Sequence, residues 1–192
     1  MQIDIKERKR EIMRIELANA ALDLVVSGGY QQTVEELADG LGISRATFFR
    51  HLGTKDEIVV AAVLGPVDLL ADAYRGTAPT EPVWQRLKAS LAPLVEMAEA
   101  SPERTRARLA FIRSEPALGS RLHRARRPQI DHLADAMVEE GHDPLGATVM
   151  AAAALAVFDR CWALWADDAK HDLQGIIDRG FAHLQGATPP AP

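Results

Sequence analysis

The chain has 192 residues, of which 47% are hydrophobic and 26% are charged, and its formal net charge is −5. This balance predicts a folded globular protein and excludes a chain that is disordered throughout, because there are enough apolar side chains to bury a core. No uninterrupted apolar run reaches the roughly 20 residues that span a bilayer, and the charged N-terminus lacks the apolar centre of a signal peptide, so we predict a cytoplasmic protein with no membrane partner.

Four helices are predicted in the N-terminal third from apolar residues that recur at three- and four-residue spacing. Thr33 with Glu36 three residues later forms a capping box that begins the second helix. Ser44 caps the third, and a break at Gly53 separates the third from the fourth. The predicted ranges are residues 5–27, 34–41 and 44–52, with the fourth helix beginning near residue 55.

Helical spacing also fills the rest of the chain. Proline and polar residues mark the starts of most of the further helices, which are predicted over about residues 82–100, 102–113, 118–140, 144–168 and 170–184. No segment alternates between apolar and polar residues as a strand would. The predicted fold class is therefore all-α, with about nine helices.

Residues 34–52 have the spacing of a helix-turn-helix. Ala38 is small where two helices must approach closely, and Gly42 allows the turn between them. Phe48 and Leu52 are apolar where the second helix would face the first. Another kind of short helical hairpin shares part of this pattern, so the spacing favours DNA binding and leaves a plain hairpin as the alternative.

The same segment is basic within an acidic chain. No Asp or Glu lies between Ser44 and Lys55, whereas Arg45, Arg50 and His51 all fall there. Because a carboxylate at these positions would face phosphates, the gap fits a surface that contacts nucleic acid.

The run TVEELADGLGISRATFFRHLGTKDEIV resembles the DNA-binding segment of the TetR family of transcriptional repressors. Residues 48–57, FFRHLGTKDE, match its pattern of aromatic residue, basic or polar pair, apolar residue, short turn and lysine followed by an acid. The resemblance implies a repressor that binds palindromic double-stranded DNA as a homodimer. We predict an N-terminal three-helix helix-turn-helix domain over residues 1–54, a larger effector-binding and dimerisation domain over 55–185 and a flexible tail over 186–192.

The predicted DNA contacts divide by their place on the third helix. A helix-turn-helix presents the first turn of this helix, here Arg45, Ala46 and Thr47, to base edges in the major groove. Phe49 and His51 are expected to face the DNA backbone, and packing of Phe49 against the first helix is the alternative. The full predicted set is Thr33, Ser44, Arg45, Ala46, Thr47, Phe49, Arg50, His51 and Lys55.

One residue departs from the family pattern. The family usually has a tyrosine where Phe49 stands, and Phe49 cannot donate a hydrogen bond to a phosphate. Either the affinity for DNA is lower, or Arg50 and Lys55 compensate. Lys55 begins the fourth helix, where a positive helix end favours an anion, and is predicted to contact a phosphate.

The C-terminal part has no catalytic arrangement that we recognise. The six histidines lack the spacing of metal ligands, and no glycine-rich phosphate loop occurs. Cys161 lies in an apolar run typical of a buried structural thiol. We predict no enzyme activity, no cofactor and no metal site.

The family resemblance implies that the last two helices form a four-helix bundle with their copies in a second subunit. The small and large apolar residues of these helices are compatible with this, and a core within one chain is the alternative. The predicted dimer-interface residues are Ala151, Leu155, Phe158, Ile177 and Phe181.

A small, largely apolar effector is predicted to bind the C-terminal helices and release the DNA. The C-terminal layout resembles regulators of the mycofactocin type, which implies an acyl-coenzyme A effector, and Arg121, Arg124 and Arg127 are predicted to share a helix face that meets its phosphates. The predicted effector residues are Trp84, Leu87, Leu91, Phe111, Arg124, Met137, Phe158 and Trp162. An ordinary apolar core is the alternative for these side chains and a solvated surface for the arginines, and a DNA-binding regulator or architectural protein without an effector is the alternative function.

Overall fold

A computed structural model describes residues 5–168 and 170–186, with side chains from residue 9 onward. This part of the chain forms helices joined by short loops and turns and has no strand. The helices are α1 (Ile5–Gly28), α2 (Val34–Gly40), α3 (Arg45–His51), α4 (Lys55–Leu64), α5 (Leu69–Arg75), α6 (Val83–Ala89), α7 (Ala92–Glu99), α8 (Pro102–Ser114), α9 (Pro116–Ala125), α10 (Arg127–Glu139), α11 (Pro144–Asp167) and α12 (Leu173–Gly186). The predicted all-helical class is confirmed.

Three predicted segments each divide into two helices, and a proline lies at or near each division. Pro66 follows Gly65 and separates α4 from α5, while Pro93 and Pro128 lie in the first turns of α7 and α10. Proline has no amide hydrogen and disfavours a helical conformation in the residue before it, so a helix ends or bends there. The sequence pattern of apolar spacing runs through these breaks and therefore did not indicate them.

The chain forms two compact units. Among the described residues, the first unit comprises α1–α4 with residues 110–126, which are the end of α8 and all of α9. The second unit comprises residues 67–109 and those from 127 onward. The functional boundary between residues 54 and 55 stays a prediction. Residues 187–192 of the predicted tail lie outside the described residues, and Gly186 is the last residue of α12.

The first unit packs α1 against α4 and α2 against α3. Each helix contributes apolar side chains with no exposed surface, and these include Leu22 of α1, Leu37 of α2, Phe48 of α3 and Ile58 of α4. Burial of one such side chain stabilises a fold by about 1.5–3 kcal/mol, so this small core fixes the position of α3.

The second unit packs α10 between α5 and α11, and α11 against α12. Gly180 of α12 lies so close to α11 that a Cβ there would be 2.7 Å from Cγ1 of Val157. Helix α11 is long and apolar enough to cross a membrane by length and composition alone. Its buried face, which includes Phe158 and Trp165, packs inside the unit.

A buried arginine joins three elements of the second unit. Arg86 is 3% exposed, and its guanidinium donates to the Glu140 carboxylate (2.9 Å) and to the Thr77 hydroxyl (2.7 Å). It also lies 4.1 Å above the centre of the Tyr74 ring. The hydrogen bonds from Arg86 hold the pKa of the Glu140 carboxyl below its ordinary value. A buried charge is tolerated only with such partners, so this cluster fixes how α6 meets the end of α10.

Candidate nucleic-acid interface

Helices α2 and α3 are joined by a tight turn at Gly42. The predicted capping box begins α2: the Thr33 hydroxyl accepts from the Glu36 amide (3.2 Å), and the Glu36 carboxylate accepts from the Thr33 amide (2.7 Å). Gly42 has a φ of 67°, which other residues rarely adopt, and the Ile43 amide then donates to the Ala38 carbonyl at 3.0 Å. These local contacts fix the direction in which α3 leaves the turn.

One face of α3 is fixed in the core. Phe48 has no exposed surface and Leu52 is 5% exposed, so their predicted packing is confirmed. Phe49 is 49% exposed and meets the Phe48 ring edge-on, with the centroids 6.0 Å apart. Phe49 therefore lies outside the core and packs against the buried Phe48 ring.

The other face of α3 is open. Arg45, Ala46 and Arg50 are exposed, and Thr47 and His51 are half-buried. The Ser44 hydroxyl caps the helix by accepting from the Thr47 amide (3.1 Å), as predicted. Arg50 Nε donates to His51 Nε2 at 3.3 Å, so these two side chains lie together.

Arg45 is held by two neighbours. Its Nη1 lies 2.9 Å from Oε1 of Glu35 in the first turn of α2, and its guanidinium carbon is 5.6 Å from the centre of the Phe49 ring. The sequence between Ser44 and Lys55 contains no acid, yet Glu35 places a carboxylate beside the first residue of α3. The acid-free segment is therefore not an acid-free surface.

Lys55 lies in a different environment from the one expected of a phosphate contact. Its ammonium donates to the carbonyl oxygens of Tyr30 (2.6 Å) and Gln32 (2.9 Å) and lies 4.7 Å from the centre of the Tyr30 ring. Two of its three donors are thus occupied within the chain. The contacts tie the start of α4 to the loop that precedes α2.

A polar cluster links α4 to α9 within the first unit. The Tyr30 hydroxyl makes a very short hydrogen bond to Oδ1 of Asp56, and Arg121 of α9 lies 2.8 Å from Oδ2 of the same carboxylate. Burial, followed by the hydrogen bond to Asp56, raises the pKa of Tyr30 to about 12. Phe111 packs on the Tyr30 ring with the centroids 6.2 Å apart. No local sequence pattern indicates this cluster, because its members are far apart in the chain.

The predicted effector residues are divided between the two units. Phe111 and Arg124 belong to the first. In the second, four of the predicted side chains are in the core and two are partly buried against it: Leu87, Leu91, Met137 and Phe158, with Trp84 and Trp162. Among the described residues, the Trp162 indole nitrogen and the Tyr74 hydroxyl are buried without a hydrogen-bond partner.

The arginines at three-residue spacing do not lie on one helix. Arg121 and Arg124 are on α9, which ends at Ala125, and Arg127 begins α10. Arg121 pairs with Asp56, and Arg127 lies 3.7 Å from Asp131. The continuous basic face expected from the sequence is therefore wrong, and the division of residues 118–140 into two helices is the reason.

The five predicted dimer-interface residues are all buried within one copy of the second unit. None is more than 2% exposed: Ala151, Leu155, Phe158, Ile177 and Phe181. The opposite face of the same two helices forms an open groove of about 530 Å³. It is lined by Ala153, Ala156, Val157, Arg160, Cys161, Leu164, Ile176, Arg179, Gly180, His183 and Leu184.

Comparison with known families identifies the chain. Residues 17–62 match the bacterial regulatory proteins of the tetR family, and residues 81–189 match the MftR C-terminal domain. The chain belongs to the TetR family of transcriptional regulators. Members of the family are not typically enzymes, and they bind DNA as dimers. Among the described residues of this regulator, no group of three or more His, Cys, Asp or Glu side chains could hold a metal ion.

Individual relatives agree with this assignment. The HTH-type transcriptional regulator TcmR of Streptomyces glaucescens is 32% identical over 71 residues, which are 36% of this regulator and 30% of TcmR, so the match spans less than a third of that relative. FadR of Bacillus subtilis in complex with stearoyl-CoA has the same fold, with a TM-score of 0.60 at 16% identity over 93% of this chain and 100% of FadR. FadR of Thermus thermophilus in complex with lauroyl-CoA has a TM-score of 0.60 at 18% identity over 93% and 98% of the two chains.

Proposed function

We propose that this TetR regulator is a cytoplasmic repressor that binds a palindromic DNA operator as a homodimer and leaves it when a small, largely apolar effector binds. The observation that carries the proposal is the first turn of α3, where Arg45 and Ala46 are exposed while Phe48 fixes the helix in the core. A recognition helix held in this way enters the major groove with its N-terminal residues at the base edges.

The proposed DNA contacts fall into two groups. Arg45, Ala46 and Thr47 are assigned to base edges, where an arginine pairs with guanine through two hydrogen bonds. Arg50 and His51, further along α3, are assigned to the phosphate backbone with the caps Thr33 and Ser44, and Phe49 supports Arg45. Lys55 is assigned chiefly to anchoring the loop before α2, because its ammonium is occupied there.

The proposed dimer uses the outer face of α11 and α12. Three large apolar residues of α11 are exposed: Leu145 (74% exposed) and Val149 (57%), which lie one turn apart, and Leu164 (40%) near the end of the helix. Leu164 also lines the groove between α11 and α12, and exposed apolar surface of this kind is typical of a surface that a partner covers. A second copy is the partner that a palindromic operator requires. The five residues first predicted for the interface support this face from the core beneath it.

The proposed effector combines an apolar chain with an oxygen-bearing group, and an acyl-coenzyme A has this chemistry. The Tyr74 hydroxyl and the Trp162 indole are buried donors without a partner in the described part of the chain. An unsatisfied buried donor costs about 1–3 kcal/mol, so a ligand that brings an acceptor to either one removes that cost. The acyl-CoA complexes of two FadR proteins with this fold make the same class of ligand the first to test.

Effector coupling requires different affinity for the free and DNA-bound shapes of the protein. Helix α8 begins in the second unit and ends in the first, where Phe111 meets Tyr30 beside Lys55. A ligand that displaces the start of α8 would therefore also displace its end, because the helix is continuous, and the end of α8 contacts residues that support α2.

The DNA-binding part of the proposal is tested by selection from a pool of random duplexes. We expect one palindromic sequence to be enriched, with half-site centres about 34–36 Å apart, and light scattering to give two copies of the chain per duplex. Enrichment of an asymmetric site by a single copy would overturn the homodimer, and no enrichment would overturn sequence-specific binding.

The effector part is tested separately by thermal denaturation with lauroyl-CoA and stearoyl-CoA, using coenzyme A alone as the control. A ligand at 100 times its Kd stabilises the free protein by about 2.7 kcal/mol, and it should weaken binding to the selected duplex. Trp162→Phe keeps an aromatic side chain, although a smaller one, and removes the N–H donor, so it should weaken ligand binding without weakening DNA binding. If the alternative is correct and the regulator has no effector, none of these compounds should change the Tm.

A further inference from the structure

We propose that Glu35 is a specificity-determining residue, which positions Arg45 for a base contact and lowers affinity for DNA that lacks the operator. The inference rests on the proposed function, because it concerns how the recognition helix of a DNA-binding regulator distinguishes sequences. The residues next to Arg45 in the sequence do not indicate this role of Glu35, because Glu35 is on the preceding helix.

The ion pair between Glu35 and Arg45 is exposed at both ends. The side chains are 54% and 66% exposed, and the oxygen and nitrogen are 2.9 Å apart. Exposed ion pairs contribute little to folding stability, because water screens the charges and two long side chains lose freedom. A folding role therefore does not explain why a carboxylate lies beside the exposed Arg45 at the start of α3.

The geometry leaves Arg45 prepared for a guanine. Oε1 of Glu35 lies 2.9 Å from Nη1 of Arg45, and the Phe49 ring lies 5.6 Å from the guanidinium carbon, so the side chain is held from two directions. Guanine presents two acceptors, O6 and N7, in the major groove, and the edge of the Arg45 guanidinium formed by Nε and Nη2 has the fork geometry that fits them. A side chain already held near its bound position loses less freedom when it binds.

The same carboxylate acts against other sequences. On DNA without the matching guanine, an arginine gains most by turning to a phosphate, which would leave Glu35 unpaired beside a polyanion. On the operator, Arg45 keeps its contact with Glu35 while it binds the base. Glu35 should therefore weaken non-specific binding more than operator binding, and so increase the ratio between the two affinities.

The test compares Glu35→Gln with the wild-type regulator on two probes, the duplex selected by the wild type and a random-sequence duplex of the same length. Asp39→Asn is the matched control: Asp39 is exposed on the same helix, and it takes part in none of the ion pairs of the described residues. We expect Glu35→Gln to lower the affinity ratio by about three- to tenfold, mainly by tighter binding to the random duplex. Asp39→Asn should change both affinities by the same factor.

A second variant shows whether Glu35 acts through Arg45. In an Arg45→Ala background, Glu35→Gln should leave the affinity ratio unchanged, because the side chain that it positions is gone. The proposal is overturned if Glu35→Gln changes both affinities equally, as Asp39→Asn does, or if its effect on the ratio persists without Arg45. A wild-type protein with no sequence preference would instead overturn the proposed function, so the two failures are distinguishable. Equal melting temperatures for the Glu35 and Asp39 variants serve as the folding control.

Discussion

Replacement of Lys55 by methionine separates an anchoring lysine from one that contacts phosphate. Methionine keeps most of the aliphatic stem and removes the ammonium that donates to the carbonyls of Tyr30 and Gln32. If the ammonium anchors this loop, the variant loses folding stability even when no DNA is present.

The size of the loss follows from the contacts. Each hydrogen bond from a charged donor contributes about 1.5–3 kcal/mol, and a cation over an aromatic ring adds about 0.5–1 kcal/mol at a partly exposed site. Ordering the lysine side chain costs up to about 2 kcal/mol, and water can replace part of the interaction once the ammonium is gone. We expect a net loss of about 2 kcal/mol in the free energy of unfolding, which lowers the Tm by about 4–8 °C in a chain of this size.

Thermal denaturation followed by circular dichroism measures this loss, and Lys88→Met is the control. Lys88 is also paired, at 2.7 Å from Asp178, but its partner is a side chain that is 49% exposed, and Lys88 itself is 34% exposed. An exposed pair contributes about 0–1 kcal/mol, so the control should change the Tm by no more than about 4 °C. Operator affinity of the Lys55 variant should fall because α2 is less well placed, with little change in the salt dependence.

A different pair of results would refute the anchoring role. A lost phosphate contact flattens the plot of log affinity against log salt by about 0.9. If Lys55→Met has the Tm of the wild type and a slope reduced by that amount, the ammonium binds phosphate and its contacts with the loop do not matter for stability.

Three further predictions concern the dimer and the two titrating clusters. Leu164→Asp should give monomers in light scattering, because it places a carboxylate in the apolar groove. Met97→Asp, at an exposed apolar position outside the groove, should remain dimeric, and equal molecular masses for the two variants would contradict the proposed interface. Arg86 lowers the folded-state pKa of Glu140, so the stabilisation from this carboxylate is present above the ordinary value of 4.5 and is lost as pH falls through the folded pKa. Glu140→Gln should therefore lose less stability than the wild type over that acid range, and parallel plots of unfolding free energy against pH would exclude the effect. The pKa of Tyr30 is raised from 10.0 to about 12, so the stabilisation from its protonated hydroxyl is present below pH 10 and is lost as pH rises through the folded pKa. The free energy of unfolding of Tyr30→Phe should therefore depend less on pH over this alkaline range, and a pH dependence equal to that of the wild type would contradict the prediction.

The sequence by itself determined the local design of the DNA-binding segment. The capping box of Thr33 and Glu36, the turn at Gly42 and the Ser44 cap all depend on residues within three or four positions of one another. Interactions at that spacing are set by backbone geometry, so they can be predicted without knowledge of the neighbouring helices. The burial of Phe48 followed from the same spacing.

Only the tertiary structure decided which side chains meet across helices. The apolar residues of α11 fit a core or an interface equally well as a sequence pattern, and the docking of α10 and α12 placed Ala151 and Leu155 inside and Leu164 outside. The ammonium of Lys55 donates to a carbonyl of a loop more than twenty residues earlier in the chain, and Arg45 pairs with Glu35 on the preceding helix. Charge and hydrophobicity say what a side chain can bind, but the packing of elements distant in the chain selects the partner within its reach.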